Sequence, residues 1–413
     1  MQVNNFTNQL DCCPNSHKLS PANSLIFAAT PKYMAGIYIH IPFCKKACTY
    51  CDFHFSTSMK YMDEMVDAIC AELLLKKERL AGAQIGSIYF GGGTPSVLTA
   101  AALHKIFNTI TQHFTVAHDA EITLEANPDD LDAKKIAELR QLPVNRFSIG
   151  IQSFFNEDLI WMNRAHNATE AETCVKRSQD AGFENLSIDL IYGYPLLTNE
   201  KWQSNIQKAL ELESPHISAY SLTVEPRTAL ASAIKRGKQV PLNDEQSADQ
   251  FEMLINKTAA GGFEHYEISN FAKPGKYAVH NTNYWRGVPY LGIGPSAHGF
   301  DGTNRYLNIA NNAQYLTALN NGKLAETVEE LDQYDRFNEY MMTSLRTMWG
   351  VDLNKIKNQY GPAYLQDTMK NIQPFMERNW LQLEADTLKL TYDGKYFADY
   401  IASELFLIPE DHL

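Results

Sequence analysis

Ile37-Tyr38-Ile39-His40-Ile41-Pro42-Phe43 runs directly into Cys44-Lys45-Lys46-Ala47-Cys48-Thr49-Tyr50-Cys51. The first part alternates in the period-two manner of a β-strand. The second sets three cysteines at C-x3-C-x2-C spacing on one short loop. Three neighbouring thiolates can hold three irons of a cubane and leave the fourth iron open, which a four-cysteine site cannot do. Cys44, Cys48 and Cys51 are therefore the candidate metal ligands. Cys70 and Cys174 fall in helical patterns and read as small buried hydrophobes, while Cys12 and Cys13 lie in a polar leader with no evident partner. Seven cysteines in 413 residues make no disulfide framework. An open iron-sulfur site needs a reducing interior, so the cytoplasm is the expected location.

Outward from this stretch the chain settles into a strand-helix rhythm. β-Branched and aromatic runs recur at Ile37 to Ile41, Ser87 to Phe90, Glu121 to Glu125, Arg146 to Ile151, Leu186 to Leu190 and Ile217 to Leu222. Helical periodicity fills the gaps, as in Met62, Met65, Ile69, Leu73 and Leu74. Six such units predict an α/β fold over 35–228, a parallel sheet curved by right-handed crossovers into a partial (β/α)6 barrel. Ligands bind at the strand ends of such folds. Residues 229–326 read as an extension of the barrel, with Tyr277 to Asn304 as ordered loops and short strands. Residues 327–413 read as a small winged-helix-like α+β module: helices at Tyr334 to Thr347, Leu353 to Tyr360 and Leu365 to Phe375, then a strand over Leu381 to Thr391.

Composition narrows the function classes. An apolar content of 45% fills a substantial core, and no run of eighteen uncharged apolar residues is present to span a membrane. A net charge of -12, with both signs mixed along the chain, argues against broad binding to a nucleic acid backbone. Residues 1–34 lack the basic and continuous apolar segments of a secretory signal. They read as a disordered leader or as sequence upstream of a true start at Met34.

Further candidates stand at the strand ends. Gly91-Gly92-Gly93-Thr94-Pro95 follows the second strand, where consecutive glycines let a ligand approach backbone amides and carbonyls. A plain tight turn is the alternative reading. Glu125 ends the third strand, Gln152 the fourth, and Asp189 lies in the fifth. Buried inward-facing carboxylates and amides need partners. A ligand or Arg164 would serve, and an internal network around Arg146 and Arg164 would serve equally. The cysteine loop, placed after a strand and followed by the glycine run, resembles the cluster loop of radical S-adenosylmethionine (SAM) proteins. That resemblance implies a [4Fe-4S] cluster whose open iron is chelated by SAM. It also implies cofactor contacts from Tyr38 beside the cluster, Tyr50 against adenine, Gly92, Gly93, Thr94, Glu125, Gln152, Arg164, Asp189 and Thr223. His40 and His54, which flank the loop, are expected to orient backbone or sulfur.

Phe53 stands two residues after Cys51, where the oxygen-independent coproporphyrinogen oxidases of this superfamily carry a further cysteine. With Tyr38 to Cys44, Asn163-Arg164-Ala165-His166 and Asp189 to Gly193, it makes the chain similar to the haem-chaperone branch from about Ala35 onward. His280-Asn281-Thr282-Asn283-Tyr284-Trp285 resembles the haem-binding signature of that branch. Its imidazole can ligate haem iron and its rings can face the macrocycle. His280 is thus a candidate haem contact, with His298 as a second candidate. The resemblance implies a chaperone that holds a [4Fe-4S] cluster, SAM and haem and passes haem to acceptor proteins. A homodimer and peripheral membrane contact stay open. The alternative is radical oxidative decarboxylation of coproporphyrinogen III; the SAM-cleaving parts look complete for it, but Phe53 and the unmatched leader weigh against it. A third reading, RNA modification with the C-terminal module as reader, would require a contiguous basic surface on that module.

Overall fold

The computed structural model describes residues 33–408, so the expected leader, with Cys12 and Cys13, lies almost wholly outside the described residues. Six parallel strands form the centre of the molecule: β1 (Tyr33–Ile41), β2 (Ala83–Gly92), β3 (Thr115–Ala126), β4 (Arg146–Gln152), β5 (Asn185–Tyr192) and β6 (His216–Ser221). Each of the six expected strand runs overlaps one of them.

The alternation along these strands separates two environments. Ile37, Ile39 and Ile41 of β1, Phe90 of β2, Leu124 of β3, Phe147 and Ile149 of β4 and Ile188 of β5 are buried to within 1%. They belong to one core with helices such as Met62–Lys76 and Ala100–His113. Full burial of each such side chain contributes about 1.5–3 kcal/mol. The intervening residues are polar or small, and register aligns them across the sheet: Tyr38 with Tyr89, Thr123 with Arg146, Glu125 with Ser148, Ser148 with Ser187, Ser187 with His216. A parallel sheet packed on both faces carries apolar residues on both. Here the inner face is polar, and it lines the space that houses the site.

Further strands widen the sheet on each side. These are β7 (Glu264–Glu267) and β8 (Asn270–Ala272) beyond β6, then β9 (Tyr290–Ile293), β10 (His298–Phe300), β11 (Asn304–Asn308) and β12 (Glu326–Glu330) beyond β1. Because β1 pairs with β9 and β6 with β8, the barrel is partial. A buried ion cluster fixes the extension to the first helix. Lys76 Nζ meets Glu72 at 2.6 Å and Glu326 at 2.9 Å, and donates to the Gly292 carbonyl at 2.9 Å.

The C-terminal module has its own core, with Phe337, Met341, Val351, Ile356, Leu388 and Ile401. The expected boundary at 327 falls inside β12, which still pairs with β11. Two local expectations are corrected. Leu381 to Thr391 is a hairpin of Leu381–Glu384 and Thr387–Leu390, because Ala385 adopts a φ of 52° and reverses the chain. Tyr277 to Asn304 contains a helix, Val279–Trp285, whose first backbone N–H groups donate to Glu121 of β3. That cap comes from a residue more than 150 positions away, so no local signal marks the helix. Residues 331–408 carry eleven carboxylates against eight Lys and Arg, the opposite of what an RNA reader needs. No helix among the described residues is long and apolar enough to cross a membrane.

Candidate functional site

The cysteine loop opens onto a cavity of about 470 Å³ at the carboxyl ends of the parallel strands. Cys44, Cys48 and Cys51 line it, together with Tyr50, Gly92, Gly93, Thr94, Glu125, Gln152, Arg164, Asp189 and Thr223. Local physics explains the shape of the rim. Gly92 has a φ of 103°, and a Cβ on Gly93 would come within 2.6 Å of the Phe43 carbonyl oxygen. Only glycines allow this turn to lie against the cysteine loop. At the end of β4, Gln152 takes a φ of 67° beside a register shift, a strained conformation for a residue with a side chain.

The three thiols are free and each has its own surroundings. Thr94 Oγ1 donates to Cys44 Sγ at 3.3 Å, and Arg164 Nη1 donates to Cys48 Sγ at 3.3 Å. The other arm of Arg164 donates to Asn127 Oδ1 at 2.7 Å and the Gly150 carbonyl at 2.8 Å, which holds the guanidinium in place. Burial pushes the Cys44 thiol up to about 11 and the Cys51 thiol up to about 12. Both favour the protonated form at neutral pH until a cation replaces the proton. Among the described residues no three His, Cys, Asp or Glu groups converge as ligands of a single ion. Separate thiols around one cavity suit a cluster, in which each sulfur takes its own iron. The donor set, the glycine cradle and the buried Arg164 Nε without a partner fit a [4Fe-4S] cluster with a small charged ligand beside it.

Deeper in the cavity sit two carboxylates. Burial raises Glu125 to about 7, and Tyr89 OH donates to it at 2.7 Å. Burial likewise raises Asp189 to about 6, against the hydroxyls of Ser148 and Ser187 at 3.1 Å. These groups are poised to receive hydroxyl or ammonium donors. Tyr89, Asn127, Ser148, Ser218 and Tyr220 also line the cavity without having been singled out from sequence. The polar half of the strand alternation was the signal that could have found most of them.

Tyr38 and His280 do not join this group. They line an adjoining cavity of about 660 Å³ with Tyr284, Trp285, Tyr290 and His298. The two cavities share Asp52, Phe53, Tyr89, Tyr220 and Asn281 as walls. Tyr38 lines this adjoining cavity and not the thiol-lined one: its ring packs against Tyr89 and His280, and its hydroxyl bonds His40 Nδ1 at 3.2 Å. His40 Nε2 in turn donates to the His54 carbonyl at 2.8 Å, so this histidine orients backbone. The His280 ring is stacked with Tyr89, centroids 5.2 Å apart, and its Nδ1 bonds Ser87 Oγ at 2.9 Å. Burial lowers His280 to about 4, which keeps the imidazole neutral at pH 7. With Nδ1 held by Ser87, Nε2 is the nitrogen left to act as a ligand.

Comparison with known proteins adds to this geometry. The radical SAM superfamily pattern matches residues 38–209 and the HemN C-terminal domain pattern matches residues 331–397. The chain is 32% identical to the haem chaperone HemW of Bacillus subtilis (strain 168), covering 89% of this chain and 98% of that protein. It is 34% identical to the haem chaperone HemW of Lactococcus lactis subsp. lactis (strain IL1403), covering 86% and 93%. The chain belongs to the HemW family. Its relation to HemN extends to the fold: the coproporphyrinogen III oxidase HemN of Escherichia coli, a radical SAM enzyme, superimposes with a TM-score of 0.79 at 23% identity over 90% of each chain. In this HemW-family chain Phe53 is 68% exposed and forms part of the wall between the two cavities.

Proposed function

We propose that this protein is a haem chaperone: it binds a [4Fe-4S] cluster through Cys44, Cys48 and Cys51, SAM in the same cavity, and haem in the adjoining aromatic cavity, and transfers haem to acceptor proteins in the cytoplasm. The observation that carries this reading is the adjacency of a thiol-lined cavity to one walled by an oriented neutral imidazole and several aromatic rings. A cluster with SAM would supply one-electron chemistry. The chain's own part is to hold three thiolates apart, receive an ammonium or hydroxyls on Glu125 and Asp189, and set Arg164 against Cys48. His280 and Tyr284 would offer a ligand and a flat apolar face to haem. HemW relatives are named as haem chaperones, which accords with this assignment.

Porphyrinogen decarboxylation is the second reading, favoured by the same carboxylate and glycine cradle. Phe53 weighs against it, since it puts an apolar ring where the related oxidases carry a cysteine. The test is anaerobic reconstitution of the cluster, followed by SAM and dithionite in parallel samples with haem and with coproporphyrinogen III. Stoichiometric haem binding by its Soret band, with no decarboxylated product by mass spectrometry, is the expected result. SAM-dependent loss of carbon dioxide from the porphyrinogen would make the protein an oxidase instead.

A further inference from the structure

Next to the aromatic cavity lies a third space of about 360 Å³, and the two have Tyr284, Trp285, Tyr290 and His298 in common. One side of this space comes from the large sheet and the helix Val279–Trp285. The other comes from the C-terminal module, through the helix Gln333–Leu345 and the short π-helix Ile356–Tyr360. Its remaining lining is charged as well as aromatic, with the cations Arg286, Arg305, Arg336 and Lys355 and one carboxylate, Glu339, beside Tyr340 and Tyr360.

These four cations differ in what they already hold: the Arg286 guanidinium lies 4.2 Å from the centre of the Trp349 ring. Arg305 is committed to carboxylates, meeting Glu329 at 3.2 Å and also Glu339. Among the described residues, neither Arg336 nor Lys355 lies within ion-pair distance of a carboxylate. Arg336 donates to the Leu331 carbonyl at 2.5 Å. Lys355 Nζ sits 4.0 Å from the centre of the Tyr340 ring. Burial lowers the Lys355 pKa, so the site holds a partly desolvated ammonium with an aromatic face as its main company. An anion entering this space would meet cations that hold no carboxylate, next to a cavity with several aromatic rings in its walls.

We propose that this space receives the carboxylate arms of the porphyrin held in the aromatic cavity, with Lys355 and Arg336 as their anchoring cations. The inference rests on the haem reading above and assigns the C-terminal module a share in binding: the sheet side supplies the iron ligand and ring contacts, and the module supplies the charges that fix the arms. A guanidinium suits a carboxylate through paired N–H donors, and the lysine supplies a point charge.

The experiment is titration of haem and of haem dimethyl ester, whose arms are uncharged, into the wild-type protein and the variants Lys355→Met and Lys355→Arg, read by the Soret band. Methionine keeps the apolar stem against Tyr340, and cluster content and circular dichroism check that each variant folds. Lys355→Met is expected to weaken haem about tenfold, to leave ester affinity and the Soret position unchanged, and to be rescued by Lys355→Arg. Equal weakening of haem and ester, or no weakening of haem, would overturn the anchoring role. Failure of the wild-type protein to bind either compound would overturn the haem reading itself.

Discussion

The thiol-lined cavity draws its walls from the ends of successive parallel strands, whereas the aromatic cavity borrows Tyr38 from β1, Tyr89 from β2, a seven-residue helix, the β9 to β10 segment and Arg346 of the C-terminal module. In the first, one short loop provides all the sulfur and β2 to β6 each add at least one polar group, so a few contiguous motifs encode it. In the second, the walls come in short runs from distant parts of the chain: Tyr38 and His40, Asp52 to His54, Glu267 to Asn270, the His280 motif, Tyr290 to His298, and Arg346. A site built on strand ends inherits its precision from the sheet. A site assembled between the sheet extension and a separate core depends on how those parts dock, and it shares five wall residues with its neighbour.

Removing one sulfur is the strongest way to break this division. Cys48→Ala leaves two thiolates, and the expected result is loss of essentially all cluster iron and of its visible absorption. Haem should still bind, since His280 and the aromatic rings lie on other elements. If haem and cluster vanish together while circular dichroism is unchanged, the cavities form a single site and the comparison fails. The converse variant, His280→Ala, should weaken haem at least about a hundredfold, since even the groups supporting a metal ligand are worth 10–100-fold. Cluster iron should stay at the wild-type level. An unchanged Soret band and affinity would remove His280 from the haem site.

The carboxylate at the heart of the first cavity allows a test by pH. Glu125 is held near 7 by burial, above its ordinary value of 4.5, so the folded chain binds a proton more tightly than the unfolded chain does. Its contribution is most favourable below pH 4.5, declines as pH rises towards 7, and is constant above that. Glu125→Gln keeps an acceptor for Tyr89 and cannot ionise. In the cluster-free protein the variant should match wild type near pH 4.5 and exceed it by about 3 kcal/mol at pH 8 in urea unfolding. Parallel pH profiles for the two proteins would show that Glu125 does not carry this cost.

The difference between the regions also explains what the sequence reveals. The six strands, the cysteine loop and the glycine run are local patterns, and each lies where its periodicity or spacing put it. Asp189 and Glu125 are visible for the same reason, as carboxylates at or near the ends of strands. Tyr89, Ser148 and Tyr220 escaped notice because a tyrosine or serine in a strand is ordinary until register places it beside a carboxylate. The helix Val279–Trp285 escaped because its cap, Glu121, comes from β3. The hairpin within Leu381 to Thr391 turns at Ala385, a residue with no turn signature.

Ser87 gives the finest test, because it belongs to the strand framework of one region and acts on the ligand of the other. Its hydroxyl is fully buried in β2 and bonds His280 Nδ1 at 2.9 Å. If His280 binds haem iron through Nε2, Nδ1 must carry the proton and donate it to Ser87, which fixes both the tautomer and the ring plane. Ser87→Ala removes that acceptor without disturbing the backbone ladder, and Tyr89 still stacks on the imidazole. The expected outcome is a loss of haem affinity of about tenfold, well short of the His280→Ala effect, with cluster content unaltered. Ser87→Thr, which restores the hydroxyl, should recover most of it if the added methyl is tolerated beside Gly36. A Ser87→Ala protein that binds haem as tightly as wild type would mean that the sheet does not orient the ligand, and that the aromatic cavity is organised by its own helix alone.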